Sequence, residues 1–183
     1  MKKYFVLFVM IVLSLDMVGQ QQKKKVLGTF TLPESEKYVK LDFDFSKTVF
    51  EKKYSEADWA ILNGEKEWES AKQEALEMIV ELMNKEMDKT RIILIIDKMN
   101  AVRSKKVETN YTLFIVPREL NKKGKNKSHF MLINTATGEA LGYVATSGSG
   151  AHFGSLGNML GEGYEDSAPA IAKLIEKQNK IKK

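Results

Sequence analysis

The residues of this chain that could do chemistry concentrate in one glycine-rich stretch, 128–164, which holds eight of the twelve glycines. Within it, residues 147–155 read SGSGAHFGS. A glycine-rich loop that runs into a helix can expose backbone N–H groups to a phosphate or another anion. The hypothesis of a small anionic ligand in this loop involves Ser149, Gly150, His152, Phe153 and Ser155.

The loop nevertheless departs from the phosphate-binding motifs. A Walker loop places Lys-Ser or Lys-Thr after its last glycine, whereas Gly154 is followed by Ser155 and Leu156. A dinucleotide fingerprint requires GxGxxG, and here the third glycine comes one residue too late. We therefore interpret the loop mainly as a joint between the last strand and a closely packed helix, with anion binding as the alternative.

His152 also suggests hydrolase chemistry, because serines at 147, 149 and 155 surround it in sequence. No GxSxG nucleophile elbow is present, however, so a packed or surface histidine is the favoured interpretation. A metal site would need the fold to bring His152 and His129 together, which the sequence neither requires nor excludes. The chain has no cysteine, which excludes thiol catalysis, thiolate zinc sites and disulfides. We predict no catalytic residue, no metal site and no cofactor.

Two clusters of charge invite a functional interpretation. Asp42 and Asp44 are two apart on a predicted strand and could serve a metal, but no third ligand follows nearby, so a solvated face is favoured. The lysine-rich run at 121–127, NKKGKNK, is typical of an exposed hairpin loop, with weak adhesion to polyanions as the alternative. A net charge of +5 with three arginines argues against a nucleic-acid groove.

The N-terminus has the pattern of a secretory signal peptide. Two lysines precede an apolar run at 4–15, which is shorter than the roughly 20 residues of a membrane-spanning helix. We expect a signal peptide at 1–19, a flexible lead-in at 20–25 and one domain at 26–183. Without a cysteine, no lipid anchor can form at the cleavage site. The protein is therefore expected to be periplasmic or secreted, with no stable membrane insertion after cleavage.

Hydrophobic periodicity predicts the elements that position these residues. Strands are predicted at 26–32, 37–45, 91–96, 110–116, 129–133 and 140–146, with a Thr137-Gly138 turn between the last two. The apolar run at 91–96 predicts a central strand, and Pro117 is expected to end the strand before it. The polar segment between these two strands is interpreted as partly a further strand.

Helical spacing is strongest at 65–87, where Trp68 and three methionines are expected to pack into the core. Ser55 and Asp58 predict the start of a preceding helix that Asn63-Gly64 ends. A terminal helix is predicted at 165–180, with Asp166 or Ser167 as its cap. The fold class expected is α+β: a mostly antiparallel sheet with one long central helix and a C-terminal helix packed on one face.

The sequences TGEALGY and FGSLGNMLGEGYEDSAPAIAKLIEKQ, which fall in the last third of the chain, resemble small exported Bacteroidales proteins of unknown function. The order of elements is similar to periplasmic accessory domains such as the TolB N-terminal domain and transport-auxiliary lipoproteins. That resemblance implies contacts with envelope proteins and no established catalytic residues. The lack of cysteine departs from the lipoprotein members.

From these patterns we expect a non-enzymatic interaction module that binds another component of the cell envelope, although enzymatic activity stays open. The alternative is a protein that binds or hydrolyses a small anionic ligand with the 147–155 loop and His152.

Overall fold

The computed structural model describes residues 26–103 and 106–180, so the expected signal peptide and lead-in lie outside the described residues. The described elements are β1 (Val26–Gly28), β2 (Tyr38–Phe43), β3 (Val49–Phe50), α1 (Glu56–Asn63), α2 (Glu65–Glu86), β4 (Ile93–Ile95), α3 (Asp97–Ala101), β5 (Tyr111–Leu120), β6 (Asn126–Asn134), β7 (Glu139–Gly148), α4 (Leu156–Glu162) and α5 (Ser167–Gln178). None of the helices in these two ranges is both long and apolar enough to cross a bilayer.

The seven strands form one sheet in the order β1-β7-β6-β5-β2-β4, and β3 adds to β5 beyond the end of β2. The long hairpins β5–β6 and β6–β7 and the β1–β7 pair are antiparallel. Shorter parallel ladders join β2 to β4 and to β5, and β3 to β5. The predicted α+β class with a mostly antiparallel sheet is confirmed.

Helices α1, α2, α4 and α5 pack on one face of this sheet and build the core. Trp68, Ile79 and Met83 on α2 are fully buried in that core, which confirms the predicted packing roles of the tryptophan and of this methionine. The strands contribute the alternate side chains that point toward the helices, including Leu41, Leu113, Phe130 and Val144. The terminal helix α5 adds Ile171 and Ile175 to the same core.

Local signals placed the helix boundaries and the hairpin correctly. Ser55 and Asp58 form the predicted capping box at the start of α1, and Gly64, with φ of 86°, separates α1 from α2. Gly138, with φ of 71°, closes the β6–β7 turn, where its N–H donates to the Asn134 carbonyl at 2.8 Å. Asp166 precedes α5 but makes no side-chain cap hydrogen bond.

The prediction that 91–96 forms a central strand is wrong, because β4 lies at the end of the sheet order. This edge strand is apolar because α2 covers it. The side-chain amide of Asn84 also provides the hydrogen-bond partners that a further strand would give the backbone of Leu94. Its Nδ2 donates to the Leu94 carbonyl at 2.9 Å, and its Oδ1 accepts from the Leu94 N–H at 2.8 Å. An edge closed in this way needs no further strand.

Three further expectations are corrected. Pro117 does not end β5, which continues to Leu120 with a register shift, because β2 ends before Pro117 and β3 begins pairing only at Glu119. In that gap the Thr48 hydroxyl donates to the Pro117 carbonyl at 2.7 Å. No neighbouring strand therefore needs the backbone N–H that proline lacks.

The described part of the 97–110 segment forms the short helix α3 rather than a strand. The first predicted strand is confined to Val26–Gly28.

The two ends of the described chain are joined by side-chain amides of α5 and its cap. Asn179 accepts from the Leu32 N–H and donates to the Phe30 carbonyl, both at 2.8 Å. Gln178 accepts from the Phe30 N–H at 2.6 Å. We call these contacts the terminal clasp.

Candidate functional site

The predicted loop at 147–155 connects β7 to α4 and runs along the surface. Ser149, His152, Phe153 and Ser155 are all exposed, and Phe153 is 87% exposed. The loop is anchored to the neighbouring 121–125 hairpin, because the Ala151 N–H donates to the Lys123 carbonyl at 2.7 Å. The structure therefore brings the sequence-predicted residues together on one surface segment but does not enclose them in a cavity.

Ser155 has a structural partner at the start of α4. Its hydroxyl accepts from the Asn158 N–H at 2.9 Å, which caps the helix, and lies 2.8 Å from both carboxylate oxygens of Glu74 on α2. The carboxylate of Glu74 therefore lies at the helix N-terminus, the position that would otherwise attract an anionic ligand. Anion binding by this loop stays a prediction that no contact of the described residues favours.

The joint itself depends on close helix packing. Gly157 and Gly161 are buried where α4 crosses α2, and a Cβ at Gly157 would come within 2.9 Å of the Ala71 carbonyl oxygen. A Cβ at Gly161 would instead meet the Met78 side chain. Glycine at these positions lets α4 and α2 pack closely, because no side chain separates the two helices there. Such close packing is what we predicted for a joint between the last strand and a helix.

The two histidines occupy different environments. His129 on β6 is 7% exposed, and its ring lies 4.6 Å from that of Tyr143 on β7, whereas His152 is exposed beyond the end of β7. Among residues 26–103 and 106–180, no three histidine or carboxylate side chains are placed to hold a metal ion.

Asp42 and Asp44 line a groove of about 460 Å³ between the end of β2 and the helices. The carboxylates around it are paired within the protein. Lys40 contacts Asp42 at 2.9 Å and Asp97 at 2.7 Å, while Lys72 contacts Glu56 at 3.1 Å and Glu69 at 2.6 Å. Asp44 accepts from the Ser46 N–H at 3.0 Å.

The protonation of the two lysines follows from this pairing. Partial burial lowers the pKa of Lys40, but hydrogen bonds and charges from Asp97 and Asp42 outweigh it and leave the pKa raised. The same balance, with Glu69 and Glu56 as partners, raises the pKa of Lys72. The carboxylates around the groove thus share two lysine partners, Lys40 and Lys72, and form a polar surface as predicted for Asp42 and Asp44.

The lysine-rich run forms the tip of the β5–β6 hairpin, as predicted. The side chains of Lys122, Lys123 and Lys125 are exposed, and Lys127 contacts Glu119 at 3.0 Å. The backbone of the tip is packed, however, because Gly124 is buried against α4 and the Lys122 N–H donates to Glu51 at 2.6 Å. Adhesion to polyanions stays a prediction.

The most distinctive surface is the sheet face opposite the helices, which we call the outer face. Strand register places Asp42, Phe114, Met131 and Tyr143 in one row across it, and Val116 and His129 in the next. Ile95, Val116 and Tyr143 are buried yet do not belong to the core. The outer face is therefore largely apolar at its centre.

The sequence contained a signal for the outer face that the predictions used only for β4. β5 and β6 contain the nearly continuous apolar runs LFIV and HFMLI, and such runs indicate burial on both faces of a sheet.

Comparisons with known proteins add no assignment. No family model matches the chain, and no curated protein matches it. Among solved structures, the chain is similar to the PelC dodecamer from Paraburkholderia phytofirmans, with 12% identity, a TM-score of 0.37 and coverage of 86% of this chain and 96% of that one. A variant PelC dodecamer gives 12% identity, a TM-score of 0.41 and coverage of 87% and 100%. With TM-scores this low, neither the fold nor the function of PelC can be assigned to this chain.

Proposed function

We propose that this chain is a non-enzymatic interaction module of the cell envelope, periplasmic or secreted, which binds another envelope component through its outer face. The observation that supports the proposal is the set of apolar side chains that lie outside the core, at the centre of the sheet face opposite it. On the same face Phe114, Met131 and Ile133 are only half-buried, and accessible apolar side chains that lie together mark protein interaction sites.

The chemistry of the face indicates the chemistry of the partner. Phe114, Met131 and Tyr143 form an apolar centre, and Lys40, Asp42, Arg118 and Lys127 place charges of both signs around it. Protein interfaces commonly combine an apolar, aromatic centre with a polar rim. The partner that fits is an amphipathic protein segment with an apolar stripe and charged edges.

The test is site-directed photo-cross-linking of the processed chain, residues 20–183, in its envelope. A photo-reactive residue at Met131 probes the outer face, and one at Ile61, an apolar α1 residue that is 70% exposed, is the matched control on the helix side. We expect a discrete adduct from position 131 and none from 61.

A second pair of variants tests whether the adduct depends on the outer face. Ile133→Glu places a charge on the outer face and should abolish the adduct, whereas Ile61→Glu should leave it unchanged. Thermal melts establish that both variants are folded. Equal adducts from positions 131 and 61, or an adduct that survives Ile133→Glu, would contradict the proposal.

A further inference from the structure

Three loops meet at the end of the sheet where β5 turns back into β6, and they comprise residues 51–54, 121–125 and 149–155. The Glu51 N–H donates to the Leu120 carbonyl at 2.9 Å, and the Glu51 side chain accepts from the Lys122 N–H at 2.6 Å. The Lys123 carbonyl accepts from the Ala151 N–H at 2.7 Å. These hydrogen bonds hold the three loops side by side, as one surface that we call the basic end.

The basic end carries ammonium groups without carboxylate partners. Its exposed lysines are Lys52, Lys53, Lys122, Lys123 and Lys125. None of them takes part in the ion pairs found among residues 26–103 and 106–180. Of the described carboxylates, those of Glu51 and Glu74 hydrogen-bond to these loops, and each already accepts from a loop donor. Positive charge therefore exceeds negative charge in the three loops and is available to an anionic partner.

The turn that presents two of these lysines has an uncommon backbone conformation. Glu51 and Lys52 have φ of 49° and 62°, in the left-handed region that residues other than glycine rarely adopt. The Lys53 N–H donates to the Phe50 carbonyl at 3.0 Å, which helps to close the turn. A conformation of this kind persists only where surrounding contacts fix it, and it often accompanies function. Lys52 and Lys53 are thus carried on a fixed turn.

An exposed aromatic side chain belongs to the same surface. Phe153 is 87% exposed, the most of any large apolar side chain in the described ranges. Its loop is held by the hydrogen bond from Ala151 to Lys123 and turns at Gly150 and Gly154, whose φ values of 74° and 128° suit glycine. Removing such a ring from water is favourable, so its exposure beside the lysines points to a partner that also has an apolar part.

The lysines and the aromatic ring together select one class of anionic partner. A dissolved polyanion such as heparin would pair with the ammonium groups but offers nothing apolar to Phe153. A bilayer that contains anionic lipids offers negative headgroups and, just below them, the boundary of the acyl chains, where apolar side chains are stabilised. We propose that the basic end docks reversibly on an anionic lipid surface, with its lysines among the headgroups and Phe153 at that boundary. Because β5 and β6 extend away from their hairpin tip, this docking leaves the outer face open to another partner.

Cosedimentation of residues 20–183 with vesicles tests the role of the lysines. The vesicles contain three parts phosphatidylcholine and one part phosphatidylglycerol, and vesicles of phosphatidylcholine alone are the neutral comparison. Three exposed lysines are replaced by glutamine in each variant: Lys122, Lys123 and Lys125 in the tip variant, and Lys85, Lys89 and Lys177, near the ends of α2 and α5, in the control. The tip lysines hydrogen-bond to the rest of the described chain through their backbone, so the tip variant should keep its fold, which thermal melts verify.

We expect the unsubstituted chain to bind the anionic vesicles far more strongly than the neutral ones. Each lysine near an anionic surface strengthens binding roughly fivefold, so the tip variant should bind about a hundredfold more weakly. The control variant should bind like the unsubstituted chain, because salt screens charges that lie away from the lipid surface and all these proteins share the same N-terminus. Equal binding of the two variants, or equal binding to both kinds of vesicle, would overturn the proposal.

A fluorescence arm distinguishes a lipid surface from a dissolved polyanion. Phe153→Trp adds an exposed indole to a chain whose own tryptophans, Trp59 and Trp68, are buried. Ala136→Trp, in the exposed turn at the other end of β6, is the matched control. Anionic vesicles should shift the emission of Phe153→Trp to shorter wavelength, and brominated acyl chains should quench it, whereas Ala136→Trp should show neither effect. No shift with vesicles, an equal shift in both variants, or the same shift with heparin would refute the lipid assignment. The outer face is not altered in either arm, so these results are independent of the proposed function.

Discussion

The Asn84 side chain offers a sharp test of how the sheet edge is stabilised. Asn84 lies in the last turn of α2, half-buried, and its amide makes two hydrogen bonds to the backbone of Leu94 in the edge strand β4. Replacement by alanine removes both bonds at once. It leaves a part-buried N–H and a part-buried carbonyl without their partner.

The expected magnitude follows from the two bonds. Each is worth about 1 kcal/mol net, and a stranded backbone group costs about 1–3 kcal/mol, so the loss should be about 2–3 kcal/mol. Alanine is the better helix former by roughly 0.6 kcal/mol, which offsets part of this. The net destabilisation is therefore about 1.5–2.5 kcal/mol, and for a chain of this size the melting temperature should fall by roughly 3–10 °C.

The assay is denaturant and thermal unfolding of Asn84→Ala beside Lys85→Ala, which changes the adjacent exposed residue of the same helical turn. Lys85→Ala should stay within about 0.5 kcal/mol of the unsubstituted protein. Amide exchange adds a local readout, since the Leu94 N–H should lose protection in Asn84→Ala alone. If the two variants are equally stable and Leu94 stays protected, the amide does not substitute for a strand.

Two further predictions concern the helix joint and Tyr164, a fully buried residue just after α4 whose hydroxyl lies 2.9 Å from Ser128 Oγ. Gly157→Ala should lower the free energy of unfolding by about 1–3 kcal/mol, because the new Cβ would meet the fixed Ala71 carbonyl. Gly161→Ala should be nearly neutral, because the Met78 side chain that its Cβ would meet can move. Equal losses of the two variants in denaturant unfolding would refute this. Burial raises the pKa of Tyr164. Above the unfolded-state value of about 10, the folded chain keeps a proton that the unfolded chain has lost, so stability should fall as pH rises. Tyr164→Phe should flatten that fall between about pH 9.5 and 11 in urea titrations, and an unchanged slope would contradict the assignment.

The sequence predicted those elements whose causes are local. The Ser55–Asp58 capping box, the Gly64 break and the Gly138 turn each depend on residues within a few positions, so their outcome could be derived from side-chain chemistry alone. The class of the fold followed, because one long amphipathic helix and several strands leave few ways to build a core.

Sheet order and the outer face could not be derived in this way. The apolar character of β4 indicates burial but not which neighbour supplies it, and here the neighbour is α2 with Asn84 rather than a second strand. Pro117 is tolerated because β2 and β3 leave a gap beside it, a fact about residues some 70 positions away. The predicted site at 147–155 was chosen for residue types, whereas the outer face becomes visible only when strand register is known.

The terminal clasp has a consequence for the order in which the chain can acquire its structure. Asn179 binds Leu32, 147 residues away, and β1 pairs with β7 near the other end of the sequence. Ordering so long a loop must precede these contacts, and such long-range closure is slow. A chain that emerges from a ribosome or a pore N-terminus first therefore cannot pair β1 until β7 has emerged, and cannot form the terminal clasp until Gln178 and Asn179 have emerged. The first strand stays available to other molecules until β7 is free.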